Sequence, residues 1–144
     1  MEKLHDQSGP AILQLKVEGL SGPKCEVIQN IAMTNSVYVI PLQETHTTYN
    51  DKIKIYGYTL IGAIHHAKYE IATLFRNDLN ANSIERSEAS ETQWLTIRIN
   101  DDITIANIYK PLNAPFVPPP SYEHPVIYSG DLNCHHTSWG CAKK

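Results

Sequence analysis

Near the carboxyl end, the apolar run Val126-Ile127-Tyr128 passes straight into Ser129-Gly130-Asp131-Leu132-Asn133-Cys134-His135-His136-Thr137-Ser138-Trp139-Gly140. A buried strand ending in Gly-Asp-x-Asn delivers two oxygen-bearing side chains to the mouth of a cleft. Asp131 and Asn133 stand two apart, so on an extended backbone both side chains fall on one face. One carboxylate beside one amide suits a hard divalent cation such as Mg²⁺, or a scissile phosphate held next to one. Gly130 allows a ligand or another strand to approach the backbone closely. The same residue types also build ordinary turns, so the short pattern alone leaves a turn as the alternative.

A chain of 144 residues is one domain, or part of a larger one. With 42% hydrophobic and 19% charged residues it is too apolar to be a disordered segment. The formal net charge of -3 provides no global basic field for nucleic acid, although a cleft can be locally basic within an acidic whole. No apolar run approaches the length of a bilayer-spanning helix, and the amino end lacks a signal-like apolar core. The expectation is a soluble intracellular protein with no membrane partner, nucleus and cytoplasm being equally open. Cys25, Cys134 and Cys141 are odd in number and suggest no disulfide framework. The Cys134-His135-His136 cluster with Cys141 matches none of the usual zinc-finger spacings.

In chain order, residues 1–10 read as a flexible arm and Ala11 to Val17 as a strand. Pro23 suits the first turn of a helix capped by Ser21 or Gly22, with Val27, Ile28, Ile31 and Ala32 as its buried stripe. Val37 to Ile40 is a near-continuously apolar strand, as expected where both faces of a sheet are covered. Strand, helix and strand in this order predict a parallel βαβ unit with a right-handed crossover. Glu44 then falls at a strand's carboxyl end, where open α/β sheets place ligands. Strands are predicted over Tyr58 to Ile64, Glu70 to Arg76 and Trp94 to Ile99. A turn at Asn100-Asp101-Asp102 leads to a partner strand over Ile103 to Tyr109. The proline cluster Pro118-Pro119-Pro120 reads as a stiff linker, with a peptide-recognition motif as the alternative.

The full Gly-Asp-Leu-Asn-x-His-His-x-x-Trp-Gly resembles the endonuclease/exonuclease/phosphatase superfamily, and within it the endonuclease domains of LINE-type (non-LTR) retrotransposons. Four further segments resemble the family in the same order. Ile12 to Ser21 is similar to its opening strand and glycine turn, and Leu42-Gln43-Glu44-Thr45-His46 to the segment carrying its metal-binding glutamate. His66 to Ala72 is similar to the start of its next strand, and Asn107-Ile108-Tyr109-Lys110-Pro111 to its Asn-x-Tyr-x-Pro motif. The resemblance implies the amino-terminal part of a four-layer α-β-β-α sandwich of DNase I type, spanning residues 11–144. It implies Mg²⁺ or Mn²⁺ on Glu44, with Asp131, Asn133 and Tyr109 as catalytic residues. Asn107 and His135 would contact substrate, although packing or hydrogen bonding is the plainer role for His135 and His136. The implied partner is DNA, nicked to prime a reverse transcriptase carried elsewhere in the parent polyprotein.

Four departures from the pattern bear on activity. Lys16 stands where the family has an asparagine, and an ammonium donates but cannot accept. Beside Glu44 it would gain up to ~4 kcal/mol of Coulomb energy at 4 Å and an effective dielectric of 20, and would repel a divalent ion. Pro41 interrupts the strand that presents Glu44, removing a ladder donor. Glu70 puts a charge where the family keeps a glycine. Finally, the family's fold continues past this point to an Asp-His pair, so the chain reads as a portion lacking the carboxyl-terminal half. Weak or absent catalysis, poor autonomous stability and one bare apolar sheet face are expected. The alternatives are a non-catalytic interaction module and another phosphoesterase of the same superfamily.

Overall fold

The computed structural model describes residues 11–47, 53–65, 70–87, 92–111, 116–120, 122 and 125–133. The expected amino-terminal arm and the segment from Cys134, with His135 and His136, lie outside the described residues.

Among the described residues, one helix and two sheets make a helix–sheet–sheet stack. The first sheet holds β1 (Ala11–Ile12), β2 (Leu15–Lys16), β3 (Val37–Gln43), β4 (Tyr58–Ile64) and β5 (Ile71–Arg76), in the order β1-β3-β5-β4 with β2 also on β3. The second sheet holds β6 (Ala81–Arg86), β7 (Gln93–Ile99), β8 (Ile103–Tyr109) and β9 (Val126–Asp131), in that order.

Helix α1 (Gly22–Thr34) follows an N-cap, Ser21, whose hydroxyl accepts from Lys24 N, with Pro23 in the first turn. Its buried stripe is narrower than the periodicity predicts. Ile28 and Ala32 are buried against the first sheet, whereas Val27 is 58% exposed and Ile31 39%. The second apolar layer lies between the sheets, where Val39 and Ile71 meet Leu95, Ile97, Ile99, Ile105 and Tyr109.

The predicted strand over Ala11 to Val17 is instead two short strands, both parallel to β3. Pro41 accounts for the break. Within a strand, a residue's N–H and C=O point to the same side, and this side alternates along the chain. The carbonyls of Val39 and Gln43 accept from Leu13 N and Val17 N, so Pro41 faces the same neighbour. It has no N–H to donate, and the neighbour is interrupted at Leu13-Gln14. On its other side β3 pairs without a break to β5, Pro41 opposite Thr73. A proline in a central strand is therefore tolerated because its missing donor coincides with a gap.

The hairpin between β7 and β8 closes with Asp102 N donating to Ile99 O, with positive φ at both Asn100 and Asp101 as in a type I′ turn. β9 then joins β8 in parallel, which requires a long crossover. Of the described residues between them, Val117 N donates to Thr92 Oγ1, and the Tyr122 hydroxyl bonds Glu85 Oε1 and Thr96 Oγ1, so Tyr122 lies on the outer face of the second sheet. Thr96, Thr104, Ala106 and Ile108 are buried there, so the bare apolar face expected from sequence is not found on β7 and β8. Among the described residues no helix covers that sheet.

Gly130 meets the strand-approach reading of its place. A Cβ built on it would lie 1.8 Å from Ile108 O, so no side chain fits between β8 and β9. Gly130→Ala should therefore cost about 3 kcal/mol of stability, the upper range of overpacking, read as a lowered urea midpoint.

Candidate functional site

Three strand ends converge at one rim of the stack. Leu15 and Val17 pack on the helix side, so Lys16 between them faces the second sheet. Glu44 follows the last residue of β3, and Asp131 ends β9 opposite Tyr109 on β8. The Lys16 ammonium lies 3.2 Å from Glu44 Oε2 and 3.5 Å from Asp131 Oδ2. The two sheets thus bring both carboxylates to a single cation.

Hydrogen bonds fix the remaining groups. Asp131 Oδ1 accepts from the backbone N–H of Asn133 at 3.0 Å, and Asn133 Nδ2 donates to Lys110 O at 2.7 Å. The Asn133 side chain also bonds the Tyr109 phenol. Burial pushes that phenol up to about 12, with Glu44 and Asp131 adding to the rise and Lys16 and Asn133 opposing it. Tyr109 therefore carries its proton at neutral pH and can donate it in a hydrogen bond. The Lys16 ammonium is likewise held above its usual range, chiefly by Glu44, against a cost from burial and with help from Asp131.

Asn107 sits differently from its expected substrate role. It is fully buried between the sheets, where its amide donates to Leu42 O, Ala72 O and Thr73 Oγ1 while its oxygen accepts from Gln43 Nε2. Gln43 in turn accepts from Gln14 Nε2. Asn107 thus supports the rim from below. Glu70 is also buried, its carboxylate accepting from Thr45 Oγ1 at 3.3 Å.

Sequence reasoning missed Gln14 and Gln43, although a glutamine closing an apolar strand was a signal for Gln43. It also missed Lys24, whose ammonium bonds Val17 O, Glu18 O and Gly19 O at 2.7, 3.2 and 2.9 Å and braces the turn after β2.

Whether this set would hold a divalent ion is decided by Lys16. Such an ion sits about 2.0–2.6 Å from each carboxylate oxygen. Here the ammonium already lies beside both candidate ligands, and two like charges cannot share that space at low cost. Among the described residues, no three His, Cys, Asp or Glu side chains group in a way that could hold a metal. With Lys16 in place, the residues fit an ammonium and do not fit the expected Mg²⁺ or Mn²⁺.

No family model matches this sequence, and no curated protein matches it. Solved structures do. A humanized D. rerio TDP2 bearing 14 mutations is 12% identical, with a TM-score of 0.59 over 91% of this chain and 69% of that one. An endonuclease/exonuclease/phosphatase family protein from Bacteroides thetaiotaomicron is also 12% identical, with a TM-score of 0.49 over 69% and 48%. The chain shares the fold of that TDP2 structure, a mixed α/β arrangement with two sheets. At this identity the likeness concerns the fold. No helix among the described residues is long and apolar enough to cross a membrane.

The electrostatics of the rim predict alkaline sensitivity. Tyr109 and Lys16 both have folded pKa values raised above their unfolded ones, so their contribution is complete below about pH 10 and is lost as pH rises. Tyr122, also pushed up to about 12 by burial, behaves alike. Stability should fall between pH 10 and pH 12. Tyr109→Phe should flatten that fall, measured by urea denaturation at stepped pH.

Proposed function

We propose that this chain is part of a phosphodiester-hydrolysing domain of the non-LTR retrotransposon branch, with DNA as its substrate. Catalysis by the chain itself is weak or absent. One observation supports the reading above others: Glu44, Asp131, Asn133 and Tyr109, drawn from both sheets, share one rim around Lys16.

Phosphodiester hydrolysis needs an acceptor for the attacking water and donors for charge growing on the phosphoryl oxygens. Asp131, ordered by the N–H of Asn133, is the acceptor. The neutral Tyr109 phenol and the Lys16 ammonium are the donors. In the family a divalent ion adds further neutralisation, whereas here Glu44 is paired with Lys16, whose ammonium supplies positive charge in that place. Asn107 serves as a positioning residue beneath the rim. His135 is kept as a substrate contact on the resemblance alone. In the parent polyprotein, the nicked DNA would prime a reverse transcriptase.

A second reading is favoured by the same lysine. If Lys16 saturates both carboxylates, the chain is a non-catalytic interaction module that retains the sheets without the chemistry.

Nicking of supercoiled plasmid with Mg²⁺ or Mn²⁺ tests both readings. The expected result is slow nicking, lost in Asp131→Ala, with the removed acceptor costing about 10²-fold or more. Robust nicking by the unaltered chain, abolished in Glu44→Ala or Asp131→Ala, would refute weak catalysis. No nicking under any condition, with no binding of duplex DNA, would favour the interaction module.

A further inference from the structure

We infer that the Lys16 ammonium is the resident cation of this rim, and that it closes to divalent ions a site which its removal would open.

Glu44 Oε2 carries most of the argument. It is buried and finds no hydrogen-bond partner among the described residues, so the ammonium at 3.2 Å is what offsets its charge. Buried charge left unpaired is costly, which makes this oxygen dependent on some cation. Asp131 Oδ2 has the same neighbour at 3.5 Å, while Oδ1 is engaged by Asn133 N. The two oxygens facing Lys16 are therefore those that would face an ion in its place.

The backbone keeps the lysine there. Lys16 lies opposite Gln43 in the parallel pairing of β2 with β3, one residue before Glu44. Val17 N donates to Gln43 O at 2.9 Å and Gly19 N to Glu44 O at 2.8 Å, so the backbone just after Lys16 is anchored to the residues that carry and precede the carboxylate. Lys24 holds the carbonyls of Val17, Glu18 and Gly19 from the helix. An incoming ion would have to displace a tethered charge whose effective concentration does not fall on dilution. A free divalent ion has no such advantage.

Replacing Lys16 with a neutral side chain removes the competitor and leaves two orphaned carboxylate oxygens. Lys16→Met preserves most of the aliphatic stem, and Lys16→Asn adds a carbonyl that can itself coordinate. Either should create a divalent site without any other change. This follows from the rim geometry and not from the proposed activity, so slow or absent plasmid nicking leaves it standing.

Titration of the 144-residue chain with Mn²⁺, read as loss of the free-ion EPR signal, tests it. The unaltered chain should show no saturable site at millimolar Mn²⁺. Lys16→Met and Lys16→Asn should each bind one equivalent at least tenfold more tightly, with a matching rise in Tm, and adding Glu44→Gln should abolish both effects. A saturable site in the unaltered chain that Glu44→Gln removes would overturn the inference. So would a folded Lys16→Met or Lys16→Asn, judged by circular dichroism, that binds no better than the parent. Should neither variant fold, the unaltered chain decides: a saturable, Glu44-dependent site overturns the inference, and its absence supports it.

Discussion

At the rim end of the stack the two sheets are joined by amides. Further from that end they meet through Val39, Ile97 and Ile105, a hydrocarbon seam that holds by exclusion of water and specifies little about register. Asn107 supplies the specificity. Fully buried on β8, it reaches the carbonyls of Leu42 and Ala72 on two strands of the other sheet, and it accepts from Gln43. Every one of those bonds requires the sheets to be slid and rotated into one relation, because a buried amide left unpaired costs about 1–3 kcal/mol. Two residues beyond it along β8 is Tyr109, and one residue beyond Gln43 is Glu44. The amide pair thus fixes the offset at which the two halves of the rim meet.

That arrangement was partly legible in the sequence, and the reason differs element by element. Ile103 to Tyr109 was readable to the residue because Ile103, Ile105 and Tyr109 alternate along it and its ends are a turn and a proline. β6 was not readable: Ala81-Asn82-Ser83-Ile84-Glu85-Arg86 has one large aliphatic side chain, and that side chain faces solvent. It is a strand because β7 pairs with it, a tertiary fact that no local pattern carries. The helix was placed correctly but its burial was overestimated, since periodicity reveals an apolar stripe without showing how much of it finds a partner. Pro41 reads as a defect in one dimension. In three, its missing donor falls opposite the break between β1 and β2.

Of the rim, the residue types and their convergence were legible from the motifs around Glu44, Tyr109 and Asp131. The direction in which amides point was not. Asn107 and Asn133 look alike in sequence as candidates for phosphate, yet one is spent on the sheet interface and the other on Lys110 O and the Tyr109 phenol. It is the backbone N–H of Asn133 that orders Asp131. The distinction depends on side-chain rotation, which spacing does not encode. Lys16 was legible as a misfit against the family pattern, but only coordinates show that it touches both carboxylates.

Backbone conformation supports the view that this rim is built for a purpose or descends from one. Glu18, Glu44, His46 and Asn133 all adopt φ between +44° and +55°, a region that non-glycine residues enter at a cost of order 1–3 kcal/mol when strained. Glu44 and Asn133 belong to the rim, and Glu18 lies in the turn braced by Lys24. In the hairpin at Asn100-Asp101 the same conformation is explained locally, because a type I′ turn demands it. No such turn demands it at Glu44. There the left-handed residue redirects the chain as it leaves β3 and places a carboxylate beside the ammonium. The retained strain is accounted for by what the side chain must reach, and what it reaches is a positive charge supplied by the chain itself.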